Sequence, residues 1–259
     1  KTVYYNIYDI TAQLCIGENT LGFILGRGRY AFNSAGTPWN GETADWIDCV
    51  KMIAVLEITY DDGTKATYVT DESWQTKSSG ILQDCMYMGE TFDARVHDFA
   101  WNTSDSTDGW VSCVQVKKPA GKLMYDFSEP IAVTEKISPV ACVKLADKTY
   151  ALEFDKYLTG WIELSIDCPK DTTVSIYYTE RKNAEGYPYI NGSIVPGGRM
   201  QKDYFISAGE KVIYRPMFSY KGFRYVLVEG MDDLKASDAV GCFVHSDIQS
   251  IATFACSDD

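Results

Sequence analysis

Ala54–Tyr60 (AVLEITY), Asp61-Asp62-Gly63 and Thr64–Thr70 (TKATYVT) form one continuous passage. Its two flanks alternate apolar and polar residues and are rich in β-branched and aromatic side chains. An Asp-Gly pair between two such runs predicts a β-hairpin, because glycine supplies the positive φ that a tight turn needs. The same grammar recurs in both directions along the chain. Trp161–Asp167 (WIELSID) runs through Cys168-Pro169-Lys170-Asp171 into Thr172–Glu180 (TTVSIYYTE). Asp203–Ser207 turns at Ala208-Gly209 into Lys211–Arg215, and Phe223–Glu229 (FRYVLVE) alternates again. No segment carries an apolar helical stripe over three turns, although short helical turns fit Ser237–Ala239 and Ala44–Val50. Many short strands at regular spacing predict an all-β chain of sandwiches rather than a parallel α/β sheet.

The 259 residues suffice for one large domain or two ordinary ones. Pro119, Gly121, Pro130 and Pro139 punctuate the stretch between Lys117 and Pro139. A boundary there divides the chain into two consecutive β-sandwich domains, 1–130 and 131–250, with 251–259 as an exit linker. No run approaches the roughly 20 apolar residues that span a bilayer. No positively charged start with an apolar stretch behind it marks a signal peptide, and Lys1 reads as an internal position.

A net charge of −12 makes nucleic acid a poor partner, since phosphate binding needs clustered Lys and Arg. Neutral sugars and oxygen-liganded cations such as calcium remain compatible with it. The eight cysteines contain no Cys-x-x-Cys pair, which leaves zinc without support. Their scattered spacing favours mostly buried thiols over disulfides.

Several motifs invite chemistry. Gly26–Ala31 (GRGRYA) fits the spacing of a dinucleotide fingerprint, but the turn-rich Phe32–Gly41 that follows cannot open the helix that would hold pyrophosphate. His97 and His245 fall on opposite sides of the expected boundary, and no Gly-x-Ser-x-Gly elbow appears. Glycosidases need a pair of carboxylates, and Glu90, Asp93 and Arg95 stand together in GETFDAR. On a strand, Asp93 and Arg95 share a face and Glu90 points to the other; an ordinary structural ion pair is the preferred account of Asp93 with Arg95. The loop Asn33–Trp46 (NSAGTPWNGETADW) looks most like a binding site. Trp39 and Trp46 offer rings that stack on sugars, Asn40 and Asp45 offer oxygens for sugar hydroxyls, and Asn33 with Asp45 are candidate calcium ligands. A surface loop tucked down by its two tryptophans accounts for it equally well.

The order of segments also resembles a known family. VYYNIYDIT (Val3–Thr11), GENTLGFILGRGRY (Gly17–Tyr30), TDESWQT (Thr70–Thr76), YMGETFDAR (Tyr87–Arg95) and EPIAVTE (Glu129–Glu135) resemble the N-terminal region of bacterial α-L-rhamnosidases of glycoside hydrolase family 78. FDKYLTGWIEL (Phe154–Leu164), YFISAGE (Tyr204–Glu210), PMFSYKGFRYVLVEG (Pro216–Gly230) and VHSDIQSIATFACSD (Val244–Asp258) resemble the domain that follows it. Arg29 stands where the family usually has Trp, and Asp155-Lys156-Tyr157 where it often has Gly-Gln-Asn. The family's first sandwich usually begins before the position of Lys1.

The resemblance implies a jelly-roll module related to a calcium-dependent, rhamnose-binding one, followed by a concanavalin-like sandwich. It places the family's catalytic acid and base in a helical barrel absent from this sequence. Under it, the chain is a non-catalytic, carbohydrate-binding accessory segment of a bacterial enzyme that removes terminal α-L-rhamnose. Its partners would be L-rhamnose or a rhamnosylated glycan and the missing catalytic domain, with cytoplasmic and secreted locations both open. The sugar contacts expected are Trp39, Asn40, Asp45 and Trp46, then Glu90, Asp93 and Arg95. Two alternatives stand beside this: a purely structural scaffold for the barrel, and a small complete glycosidase with a carboxylate pair in a sandwich cleft.

Overall fold

A computed structural model describes residues 2–31, 45–103, 108–118, 120–190, 201–249 and 251–256. The chain is all-β, as its alternation predicts. Its spine is β11 (Thr149–Ile166), an 18-residue strand that buries alternate side chains. Phe154, Ile162, Leu164 and Ile166 are fully enclosed. One edge of β11 pairs antiparallel with β15 (Lys221–Glu229) and then with β14 (Val212–Tyr214). Its other edge pairs with β10 (Ala141–Ala146) and then with β16 (Ala239–Ser246), which carries β9 (Ile131–Ile137) beyond it. The register between β11 and β15 slips between Glu153 and Leu158. An irregularity of this kind bends a strand, which lets one long strand serve two parts of a curled sheet.

Beyond β15 the sheet continues through β12 (Thr173–Thr179) and β13 (Lys202–Ile206). The turns at 168–171 and 208–209 close no hairpin. β15 lies between β11 and β12, and β13 and β14 pair with different strands. Local alternation announces a strand but not its neighbour, because pairing is decided by burial across the whole sheet. A 3₁₀ turn at Ala236–Asp238 lies where the sequence indicates a short helical turn.

The hairpin of β5 (Ile81–Cys85) and β6 (Gly89–Asp93) also belongs to this ten-stranded sheet. β6 pairs parallel with β13, setting Thr91, Phe92 and Asp93 against Tyr204, Phe205 and Ile206. Residues before 130 therefore complete a sheet built mostly from residues after it. Phe92 stacks on Phe205 at 5.9 Å between ring centroids with a 6° interplanar angle, and Tyr214 packs against both. These rings join a single apolar core that includes Leu152, Phe154, Val174, Ile176 and Val226.

The remaining strands described before residue 130 form three two-stranded pieces. β1 (Thr2–Tyr5) pairs parallel with β8 (Lys122–Tyr125), and β4 (Gln75–Thr76) pairs with β7 (Val111–Ser112). The third is the hairpin that opened the sequence argument, β2 (Val55–Thr59) with β3 (Lys65–Val69). Tyr60 and Thr64 close its three-residue loop, where the Gly63 N–H donates to the Tyr60 carbonyl at 2.9 Å. Gly63 has φ +82°, the left-handed conformation such a loop requires.

Candidate functional site

A cluster of buried ionisable groups lies where the β5–β6 hairpin meets the sheet, and its core is a buried ion pair. Lys221 and Asp203 are 3% and 0% exposed. Lys221 Nζ donates to both Asp203 carboxylate oxygens at 2.6 Å and to Ser219 Oγ at 2.8 Å. Those three bonds use all three ammonium protons. Asp203 Oδ1 also accepts the Glu90 backbone N–H at 2.8 Å, tying β6 to β13 through a side chain. Lys221 further sits 5.0 Å from the centre of the Tyr178 ring.

Glu90 is 2% exposed. Its Oε1 accepts from the Tyr214 hydroxyl at 3.1 Å and its Oε2 from the Met217 N–H at 2.9 Å. Burial pushes the Glu90 carboxyl up to about 7; the Met217 N–H opposes this, Asp203 reinforces it, and Tyr214 and Lys221 oppose it more weakly. Burial likewise pushes the Lys221 ammonium down, against the pull of Asp203. The Tyr178 and Tyr214 hydroxyls are driven well above their ordinary range by the same loss of solvent.

Asp93 and Arg95 form the ion pair that their spacing suggests. Arg95 donates through Nε and Nη2 to the two Asp93 oxygens at 2.9 and 2.7 Å, and through Nη1 to Asp171 at 2.6 Å. The Arg95 guanidinium holds the Asp93 carboxyl below the usual carboxylate range. Asp93 is closed to solvent and Arg95 lies at the surface. The face rule places Glu90 and Asp93 apart, and the structure gives each its own partners. On the far strand of the hairpin, Asp84 accepts from the Arg27 backbone at 2.6 Å and from its guanidinium at 2.8 Å. That bond pins the GRGRY segment to β5.

From the 33–46 loop, Asp45 and Trp46 lie among the described residues, both exposed, and the Trp46 ring is 60% accessible. Asn33, Trp39 and Asn40 lie outside the described residues. The loop's far end is anchored where the Asp48 N–H donates to the Tyr30 carbonyl at 3.1 Å and Lys51 pairs with Asp48. Calcium would need several oxygens converging on one point. Among the described residues no group of three His, Cys, Asp or Glu side chains is placed to hold a metal ion, and Asp45 is the one candidate ligand with a described position. Cys85, Cys168 and Cys242 are buried, Cys113 and Cys142 half-buried, and Cys15, Cys49 and Cys256 exposed, so fewer thiols are inside than expected.

Sequence reasoning about chemistry missed Asp203 and Lys221, yet a signal was present. Three of the buried ionisable side chains stand two residues before a buried phenylalanine: Glu90 before Phe92, Asp203 before Phe205, Lys221 before Phe223. The two-residue period of a strand puts each charge on the same inward face as its phenylalanine.

Comparison with known proteins accounts for the whole chain. The family model of the α-L-rhamnosidase N-terminal domain matches residues 1–135, and that of the bacterial α-L-rhamnosidase concanavalin-like domain matches residues 143–245. An α-L-rhamnosidase of Formosa agariphila is 30% identical over 270 aligned residues, covering 100% of this chain and 28% of its own length. The solved α-L-rhamnosidase of Dictyoglomus thermophilum superposes with a TM-score of 0.77 at 29% identity, over 90% of this chain and 25% of its own. That of Aspergillus terreus gives 0.70 at 26% identity, over 80% of this chain and 24% of its own. The chain thus spans under a third of the length of the relatives it matches. With an N-terminal domain model over its first half and a concanavalin-like one over its second, the chain belongs to the bacterial α-L-rhamnosidase family.

Proposed function

We propose that this chain is the non-catalytic forepart of an α-L-rhamnosidase, a β scaffold that supports a catalytic domain lying elsewhere in the protein. The observation that carries this reading is what the acidic side chains of the GETFDAR strand do. A glycosidase needs two carboxylates that reach a substrate on either side of the scissile bond. Glu90 and Asp93 are instead closed to solvent, and their oxygens accept from Tyr214, Met217 and Arg95. Glu90 ties β6 to β14, and Asp93 holds the Arg95 side chain that reaches Asp171. A scaffold also needs surface to dock on. Tyr8, Ile16, Ile53, Val114 and Phe127 are apolar side chains that stand largely in solvent in the first half of the chain. Apolar surface of this kind suits burial against another domain.

The test is hydrolysis of 4-nitrophenyl α-L-rhamnopyranoside by the purified chain. We expect no release of nitrophenol above buffer. Release that purifies with the chain overturns the reading and favours a small complete glycosidase.

A second reading, sugar binding, is favoured by the exposed ring of Trp46 beside Asp45 at the end of the 33–46 loop. Calorimetric titration with L-rhamnose, with calcium and again with chelator, separates it from a bare scaffold. Heat that disappears in Trp46→Ala supports binding at this loop. No heat in either condition removes sugar binding from the account of this chain.

A further inference from the structure

The seam between the β5–β6 hairpin and the large sheet is built around the Glu90 carboxyl, which forms no ion pair among the described residues. Glu90 projects from β6 into a space walled by Tyr178 of β12, Asp203 of β13, Tyr214 of β14, Lys221 of β15, and the Met217 and Ser219 positions between β14 and β15. Lys221 is the cation of this group, and all its protons are committed to Asp203 and Ser219. Ionised Glu90 would therefore leave two buried carboxylates to one ammonium. Its excess charge would be answered only by one hydroxyl and one backbone N–H. Neutral Glu90 keeps both of its contacts, although the Tyr214 proton then gives up its place in the shared O···O contact. One oxygen still accepts from Met217, and its own O–H can donate to the Tyr214 hydroxyl, which serves as donor or acceptor.

We propose that Glu90 is a proton-operated latch on this seam, closed when its carboxyl is neutral and loosened when it ionises. The latch joins the two regions of the chain, since β6 lies in the part matched by the N-terminal domain model and β13 in the part matched by the concanavalin-like one. Few backbone bonds back it up. The parallel pairing of β6 with β13 covers three residue pairs, and the approach adds Gln201 N–H to the Tyr87 carbonyl, Lys202 N–H to the Met88 carbonyl and Ala94 N–H to the Ile206 carbonyl.

The direction follows from linkage. With the hairpin docked, Glu90 holds its proton up to about 7. A solvated glutamate releases it near 4.3. Docking is therefore fully favoured below the solvated value, weakens as pH rises toward 7, and is level above that. Between the two values opening releases one proton, so the opening constant rises about tenfold per pH unit. The neighbours do not carry this window. Burial lifts both tyrosine hydroxyls further above it; burial lowers the Lys221 ammonium against the two 2.6 Å bonds to Asp203, and a lowered ammonium acts with the opposite sign, losing stability as pH falls. His97, tilted against Phe92 at 5.0 Å between ring centroids, acts with the opposite sign. Its Nδ1 accepts the Gly80 N–H, and a proton gained in acid would break that bond.

The test is hydrogen exchange of the Glu90, Lys202 and Ala94 amides between pH 5 and 8, expressed as protection factors, with the β15 core amides as the control for global opening. Protection of these amides is expected to fall about tenfold per pH unit from 5 to 7 and to level above 7, while staying below that of the β15 core amides, which marks the opening as local. In Glu90→Gln the slope should vanish. A flat profile in the native chain, or the same slope in the variant, overturns the latch. Should Glu90→Gln fail to fold, the Glu90 carboxyl carbon can be titrated by NMR in the native chain. A midpoint near 7 supports the latch and one between 4 and 5 overturns it.

Discussion

Replacing Lys221 by Met keeps the length and most of the volume of the side chain and removes its charge. Asp203, 0% exposed, would then retain the Glu90 N–H at 2.8 Å but lose the two 2.6 Å bonds that balance its charge. Removing one member of a buried ion pair costs roughly 3–5 kcal/mol, because the survivor stays desolvated and uncompensated. A second route gives a similar figure. A stranded buried carboxylate can escape by taking a proton, and at pH 7 that costs about 4 kcal/mol for a carboxyl of ordinary acidity. The second route adds a pH signature. The deficit should shrink by about 1.4 kcal/mol for each unit the pH is lowered, since protonation becomes easier by that amount. Urea unfolding followed by tryptophan fluorescence at pH 7 and pH 5 measures both. At pH 7 a loss of this size should move the midpoint down by roughly 1–2 M, given typical urea slopes. A deficit under about 1 kcal/mol at pH 7, or one of equal size at both pH values, would refute the ion-pair account of this cluster. Adding Asp203→Leu should recover part of the loss but not all of it, because the Glu90 N–H would then be buried without an acceptor.

Three further substitutions probe the same architecture. Gly89→Ala should prevent docking of β6 or cost about 3 kcal/mol or more. A Cβ there would lie 2.1 Å from the Lys202 carbonyl oxygen at a φ of +93°, and thermal unfolding reads the loss. Gly63→Ala meets open space and carries only the strain of a φ of +82°; it should cost about 1 kcal/mol and leave the amide exchange of the ten-stranded sheet unchanged. Phe223→Ala removes a fully buried ring packed edge-on against Phe154 at 5.5 Å and Tyr178 at 5.1 Å, and denaturant unfolding should show a loss of about 3–5 kcal/mol.

What the sequence made legible was whatever short-range chemistry dictates. The Asp61-Asp62-Gly63 turn specifies its hairpin because only three loop residues and their two flanks are involved. The inward face of β11 follows from alternation alone. The parallel pairing of β6 with β13 had no such signature. Phe92 and Phe205 stand more than a hundred residues apart, and each reads locally as one more apolar residue on a strand. The candidate site was legible in the same uneven way. Asp93 and Arg95 announced their ion pair by spacing, whereas Glu90 looked like a group available for chemistry. Its burial depends on Asp203, Tyr214 and Met217, all distant in sequence. For Trp39, Asn40 and Asn33 the expectation rests on residue type alone, as these lie outside the described residues.

The three charge-x-Phe triplets explain why a scaffold would keep ionisable groups where an apolar side chain would be simpler. Phe92, Phe205 and Phe223 supply non-directional apolar burial, which would tolerate a hairpin docked two residues out of register with the same face inward. A two-residue slip of β6 along β13 would keep Phe92 on the inward face but leave Glu90 without Met217 and Tyr214. It would also take the Glu90 N–H from Asp203, so every misdocked register would contain at least one buried polar group without a partner. Charges cost stability on burial but penalise the wrong pairing more heavily than the right one. A short parallel contact of three residue pairs has little else to fix its register. On this argument Glu90, Asp203 and Lys221 are set in the seam to decide where the hairpin docks, and the phenylalanines beside them supply most of the burial that holds it there.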